Sequence, residues 1–203
     1  MISLPAITPG NRLAALGLGY LLFCLCYLGS HALAYTRASY LPLTTLDALI
    51  PAWPASLWLY LSQFVLLPLA FMLERDSLRL SRAYYAMLAA TLISCAIFVA
   101  WPTTVGQEIR AISGWTQQAW HWFYQLDVAG NCFPSLHVSL ASLAAWLLAG
   151  RGGVWRLLAP GWAALIMLSV LTTRQHRLVD VLGGLCVAAL CLRLADTKPR
   201  LAC

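Results

Sequence analysis

Long apolar runs alternate with short polar breaks along the whole chain. Segments 13–36, 48–73, 83–107, 128–150 and 157–173 carry no Asp, Glu, Lys or Arg, and a shorter apolar stretch follows at 181–192. A helix needs about 17–25 predominantly apolar residues to cross the hydrocarbon core of a bilayer. The runs therefore predict six transmembrane helices, roughly Leu13–Tyr35, Ala55–Leu73, Tyr84–Trp101, Ser135–Ala149, Leu157–Thr172 and Leu178–Leu192. The last three are short, which puts their polar ends within the interface. No internal repeat, low-complexity tract or change of pattern interrupts the series, so residues 1–203 are expected to form a single all-α domain, a polytopic membrane helix bundle.

The breaks have their own character. Between the first two spans, Pro42, Pro51 and Pro54 surround the lone acid Asp47, which suits either the cap of a short helix at the interface or a group that helps to position a lipid headgroup. The stretch from Pro102 to Phe133 interleaves Trp115, Trp120, Trp122, Phe123 and Tyr124 with Gln117, Gln118 and His121, a mixture that predicts a helix in the headgroup region. Residues 74–82 hold the densest charge and read as a solvated loop that fixes orientation. Gly183-Gly184 permits close approach to a neighbouring helix.

Composition agrees with the pattern: the chain is 61% hydrophobic and only 10% charged, with a mean hydropathy of +0.75. The net charge of +6 raises nucleic acid as a partner, but the basic residues sit in loops beside the apolar runs. With the N-terminus in the cytoplasm, one side receives Arg12, Arg75, Arg79, Arg82, Arg151, Arg156, Arg193, Lys198 and Arg200, and the other receives Arg37, Arg110, Arg174 and Arg177. That asymmetry follows the positive-inside rule, so the arginines fix orientation and no nucleic acid is implied. Both termini are then expected in the cytoplasm, and the small size suggests a bacterial inner membrane. Cys24, Cys26, Cys95, Cys186 and Cys191 fall in apolar runs as small hydrophobes, and no metal-ligand spacing is present. Cys132 is expected to be reachable from the outer face.

Two polar islands remain, Asn131-Cys132-Phe133-Pro134-Ser135-Leu136-His137 and Thr173-Arg174-Gln175-His176-Arg177-Leu178-Val179-Asp180, and the topology puts both on the non-cytoplasmic side. Pro134 is at home at a helix start, which places Ser135 and His137 in a first turn where unpaired backbone N–H groups attract anions. His176 and Asp180 are four apart, one helical turn, so the carboxylate can orient the imidazole. A phosphate could lodge at the first turn that carries Ser135 and His137 without a metal.

At these residues the sequence resembles the type 2 phosphatidic acid phosphatase (PAP2) superfamily, membrane enzymes with a P-S-x-H motif and a later H-x-x-x-D motif. Pro134-Ser135-Leu136-His137 and His176-x-x-x-Asp180 match both. Val170 stands where the commonest second motif has an arginine, and Pro102-Thr103-Thr104 with Arg110 is all that remains near the superfamily's K-x-x-x-x-x-x-R-P motif. The wording is similar to the inositol phosphorylceramide synthase branch of lipid phosphotransferases, which pairs F-P-S-x-H with Q-H-x-x-x-D. Asp47-Ala48-Leu49-Ile50-Pro51 followed by Trp58-Leu59-Tyr60 is similar to that branch's D-x-x-I-P…Y region.

The resemblance implies roles. His176 would be the nucleophile that forms a phosphohistidine, Asp180 would orient it, and His137 would protonate the leaving oxygen and then activate the acceptor. Ser135 and the backbone amides of its turn would hold phosphate oxygens. With no arginine at 170, Arg174 is the first substitute, followed by Arg110 and Arg177. No cofactor or metal is implied. Three activities remain open: removal of phosphate from a phospholipid or polyprenyl (di)phosphate; transfer of a phosphoryl headgroup to another lipid or alcohol; and an inactive relative serving as a membrane scaffold or transporter.

Overall fold

The computed structural model describes residues 4–105, 115–126, 130–196 and 201–202. Helices dominate them: α1 (Arg12–Ala34), α2 (Thr45–Leu49), α3 (Leu57–Leu61), α4 (Gln63–Leu73), α5 (Ser77–Ala100), α6 (Trp115–Leu126), α7 (Leu136–Ala149), α8 (Trp155–Thr172) and α9 (Leu178–Asp196). Among the described residues the strands form two parallel pairs of two residues each, Leu4–Pro5 with Leu201–Ala202 and Ser39–Tyr40 with Thr103–Thr104. Five segments among the described residues are long and apolar enough to cross a membrane: Arg12–Ala34, Pro54–Leu73, Ser77–Ala100, Trp155–Thr172 and Leu178–Asp196. Leucines such as Leu18, Leu25 and Leu33 on α1 and Leu182 and Leu190 on α9 are exposed. Apolar surface on this scale suits contact with hydrocarbon rather than water.

Of the six spans expected, the one at α7 falls short of the length that crosses a bilayer unaided. It is 14 residues long, about 21 Å at 1.5 Å per residue, against a hydrocarbon core of about 30 Å. Its sequence is short because it is the inner helix of the bundle: ten of its 14 residues are buried, and it packs against α4, α5, α8 and α9. Association between helices inside a membrane depends on close packing and small residues, and α7 presents Ser135, Ser139, Ala141, Ala144 and Ala145 for this. The Ser139 hydroxyl donates to the Gly184 carbonyl at 2.9 Å. A Cβ on Gly184 would lie 2.5 Å from the Ser135 carbonyl oxygen and 2.9 Å from Val138 Cβ. Gly184→Val is therefore expected to cost about 1–3 kcal/mol through overpacking and to separate the two polar islands, read as a lower thermal midpoint in detergent and a loss of activity.

The end of the bundle opposite the islands is closed by arginines that donate to carbonyls in the last turns of helices. Arg12 donates to the carbonyls of Phe71, Met72 and Glu74 at the end of α4, Arg151 to that of Leu73, and Arg79 to those of Trp146 and Leu147 on α7. Six of the nine residues of the expected charged loop, 77–82, are helical, because Asp76 caps α5 by accepting from the backbone of Leu78 and Arg79. At the island end, Thr103 accepts from the backbone N–H of Phe133 through its hydroxyl at 2.9 Å and from that of Cys132 through its carbonyl at 3.3 Å. Asn131 donates to the Tyr27 carbonyl and the Ser30 hydroxyl. Cys132 is buried at 4% exposure against Leu41 and Val105, contrary to the accessible thiol expected, because these two tethers draw the segment inward.

Candidate active site

The second island does not sit on a helix face. α9 begins at Leu178, so Arg177 is the residue before its first turn and His176 lies one further out. Asp180 stands in the third helical position and its Oδ2 reaches back to accept the Arg177 backbone N–H at 2.7 Å, the carboxylate half of a capping box. The same oxygen lies 3.4 Å from His176 Nδ1. The i, i+4 pair expected from spacing thus meets by a different route: the side chain folds back over the helix start. Asp180 is fully buried and His176 is 7% exposed, so the pair operates away from bulk water, where charge interactions are stronger.

The first island supplies the opposite wall. Ser135 is the N-cap of α7, its hydroxyl accepting from Val138 N–H at 3.4 Å, and Pro134 precedes the cap rather than opening the helix. The Ser135 backbone N–H donates to the Asp180 carbonyl at 3.0 Å, which fastens the two islands together. His137 lies in the first turn of α7, and its ring centroid is 6.4 Å from that of His176, close enough for one phosphoryl group to touch both. His137 Nδ1 is 3.0 Å from the Tyr60 hydroxyl, while its Nε2 is buried and makes no hydrogen bond to the described residues. With Nδ1 engaged by Tyr60, Nε2 is the imidazole nitrogen left open.

Tyr60 is held in turn. It is 1% exposed, stacks obliquely on His137 at 4.2 Å and meets Phe123 of α6 edge-on at 5.2 Å. Trp120, also of α6, packs in the same cluster and donates to the Pro54 carbonyl at 3.0 Å. The aromatic helix expected at the headgroup level thus carries buried anchors as well as interfacial rings. Sequence reasoning noted Tyr60 within a stretch similar to the phosphotransferase branch but gave it no role. Tyr60→Phe keeps the ring and removes the hydrogen bond, so kcat should fall about 10- to 100-fold, the equivalent of about 1.5–3 kcal/mol. A shifted limb in the pH–rate profile distinguishes this from simple loss of packing.

Three arginines were candidates for phosphate. Arg174 follows the end of α8 with φ 59°, a left-handed conformation that costs a non-glycine residue about 1–2 kcal/mol. Its guanidinium donates to the carbonyls of Asp47 at 2.8 Å and Ile50 at 2.7 Å, which turns it onto the strap of residues 41–54. Arg177 is 4% exposed between His176 and α9. Arg110 lies outside the described residues. Val170, where the common motif has arginine, is fully buried in the apolar cluster with Tyr60 and Trp120.

Asp47 does more than cap. It forms a capping box with Thr44 at the start of α2, and its Oδ1 accepts the Leu178 N–H at 2.8 Å, satisfying a donor at the start of α9. Burial opposes its charge, but the Thr44 hydroxyl, the Leu178 and Thr44 backbone donors and the Arg177 charge prevail and hold the carboxyl below its usual range. A carboxyl lowered in the folded state stabilises the fold above its unfolded value of about 4. That contribution disappears only as pH falls through the lowered value, so the strap stays latched at neutral pH.

Among the described residues no three His, Cys, Asp or Glu side chains are grouped as a metal site. A search of curated proteins and one of solved structures each returned no match. A family model described as the PAP2 superfamily matches residues 52–194, a segment that contains both islands, Tyr60 and the helices that carry them. With His137 and His176 facing each other across the joined starts of α7 and α9, the chain belongs to the PAP2 superfamily.

Proposed function

We propose that this chain is a membrane enzyme that takes the phosphoryl group of a phospholipid or polyprenyl (di)phosphate onto His176, in line with the phosphatase-type function of its family. The observation that carries the reading is the facing pair: His176 with Nδ1 against Asp180, and His137 with Nδ1 on Tyr60, rings 6.4 Å apart. With Nδ1 turned to the carboxylate, Nε2 of His176 is the nitrogen for attack. It bonds to phosphorus as the bond to the leaving oxygen breaks, and His137 Nε2 gives that oxygen its proton. His137 then takes a proton from the acceptor hydroxyl, the acceptor oxygen bonds to phosphorus, the P–N bond breaks and His176 is restored. Backbone N–H groups in the first turn of α7, oriented by Ser135, hold the non-bridging oxygens. Arg177, buried beside the nucleophile, supplies positive charge, whereas Arg174 serves the strap.

The basic-residue count supports an active site on the non-cytoplasmic face, with both termini in the cytoplasm of a bacterial cell. Water as acceptor makes the enzyme a phosphatase; a lipid alcohol makes it a transferase like the inositol phosphorylceramide synthases. The test is incubation of the purified protein in detergent with a panel of phospho- and diphospholipids, with and without a lipid alcohol. Released phosphate identifies hydrolysis and a new headgroup-bearing lipid identifies transfer. No product from any lipid removes the enzymatic reading. EDTA is expected to leave the rate unchanged, because side chains and helix N–H groups supply the charge stabilisation; loss that added metal restores would overturn that mechanism.

A further inference from the structure

A cleft of about 370 Å³ runs among α1, α4, α5 and α7. Its lining is graded: Tyr20 and Phe64 are 59% and 52% exposed, whereas Gln63 and Phe71 are 4% and 1% exposed. The mouth therefore faces the surroundings of the bundle, which at these apolar helices means hydrocarbon, and the floor is inside. Two lining residues bring the cleft beside the reacting groups. Phe64 meets the His137 ring edge-on at 6.5 Å, and Leu140, which also lines it, follows His137 by one turn of α7.

One polar atom stands out in this apolar channel. Thr91 donates its hydroxyl to the Met87 carbonyl at 2.9 Å, the usual use of a threonine inside a membrane helix. Gln63 differs, since its Oε1 is buried and accepts no hydrogen bond from the described residues. A polar side chain in a cleft wall at membrane depth, with an acceptor that the protein leaves unused, implies a donor that arrives with a ligand. Gln63 also lies three residues after Tyr60, about one turn deeper into the bundle than the catalytic histidine's partner.

We propose that this cleft holds a hydrocarbon chain of the lipid that reacts at His137 and His176, and that Gln63 accepts a hydrogen bond from a hydroxyl or amide N–H in that lipid's backbone. The proposal rests on the lipid-phosphate reading above and narrows it: the substrate or acceptor carries a donor group a short distance below the phosphate, and lipids without one bind less well. Commitment to the reacting lipid over a bulk lipid comes from the contact of Phe64 with His137.

The full chain in detergent is tested with two non-hydrolysable probes, a palmitoyl glycerol phosphonate with a free 2-hydroxyl and its 2-deoxy analogue, each with a photoreactive diazirine on the tail. Crosslinks are expected on peptides containing Leu67, Met87 and Leu140, and Gly17→Phe, which builds a ring into space that is open within 4 Å, should reduce them. Gln63→Leu should weaken binding of the hydroxyl probe about tenfold, the usual scale for one hydrogen bond, and leave the deoxy probe unchanged. Crosslinks spread over the outer faces of α1 and α8, or equal losses for the two probes in Gln63→Leu, would overturn it. Because the probes bind without turnover, crosslinks in the cleft of a protein that turns over no lipid would uphold the lipid site and remove the reaction. Turnover without such crosslinks would remove the cleft alone.

Discussion

Replacing His176 with alanine should lower turnover of any lipid phosphate about 10⁴- to 10⁶-fold, the scale on which loss of a covalent nucleophile is felt. The structure gives the reason for so large an effect. His176 is 7% exposed and its Nδ1 lies 3.4 Å from a fully buried carboxylate, so no neighbouring group can take over attack from the same position. Rapid quenching of the wild type with ³²P-labelled substrate should trap an acid-labile, base-stable phosphoenzyme that maps to the peptide holding residue 176. The alanine variant should show none. A variant that retains more than about a hundredth of the rate would assign the nucleophile elsewhere, since removal of a group acting only in proton transfer already costs about 10²–10⁴-fold.

Removing His137 should cost less, and the loss should depend on the substrate. As the proton donor to the leaving oxygen its contribution lies at about 10²–10⁴-fold, and it is greatest for alkoxide leaving groups. His137→Ala is thus expected to fall by the full amount with a lipid monophosphate. Its kcat/KM, which reports formation of the phosphoenzyme, should fall by far less with p-nitrophenyl phosphate, whose phenolate needs no proton. With that activated substrate a phosphoenzyme should accumulate, because the second step still needs His137 to activate the acceptor. Equal losses with both substrates would mean that His137 holds the phosphate instead of moving a proton. The Tyr60→Phe variant gives a check on the same group: its defect should run parallel to that of His137→Ala across the substrates, though smaller.

Much of this protein was legible before any coordinates. Charge-free runs of the length a bilayer needs announced a helical membrane protein, because both the hydrocarbon thickness and the rise of a helix are constants. The two islands stood out since ionisable groups are costly near a membrane interior and persist where they work. Their spacing was read correctly in outcome but not in mechanism, as His176 lies outside α9 and meets Asp180 through a reach-back to the helix start. Helix boundaries depend on caps, and at α9 one cap is Asp47, 131 residues away from Leu178.

The chain alone determined the class of the fold, the family motifs and the four residues Ser135, His137, His176 and Asp180, because each signal is local: a run, a proline before a first turn, a spacing of four. Tertiary structure decided what those residues touch. It buried Cys132, committed Arg174 to the carbonyls of Asp47 and Ile50, placed Tyr60 on His137 and made the short α7 the centre of the bundle. These outcomes join positions far apart in sequence, and in a membrane they depend on which helix faces pack closest, a matter of small residues and backbone approach that no single segment contains.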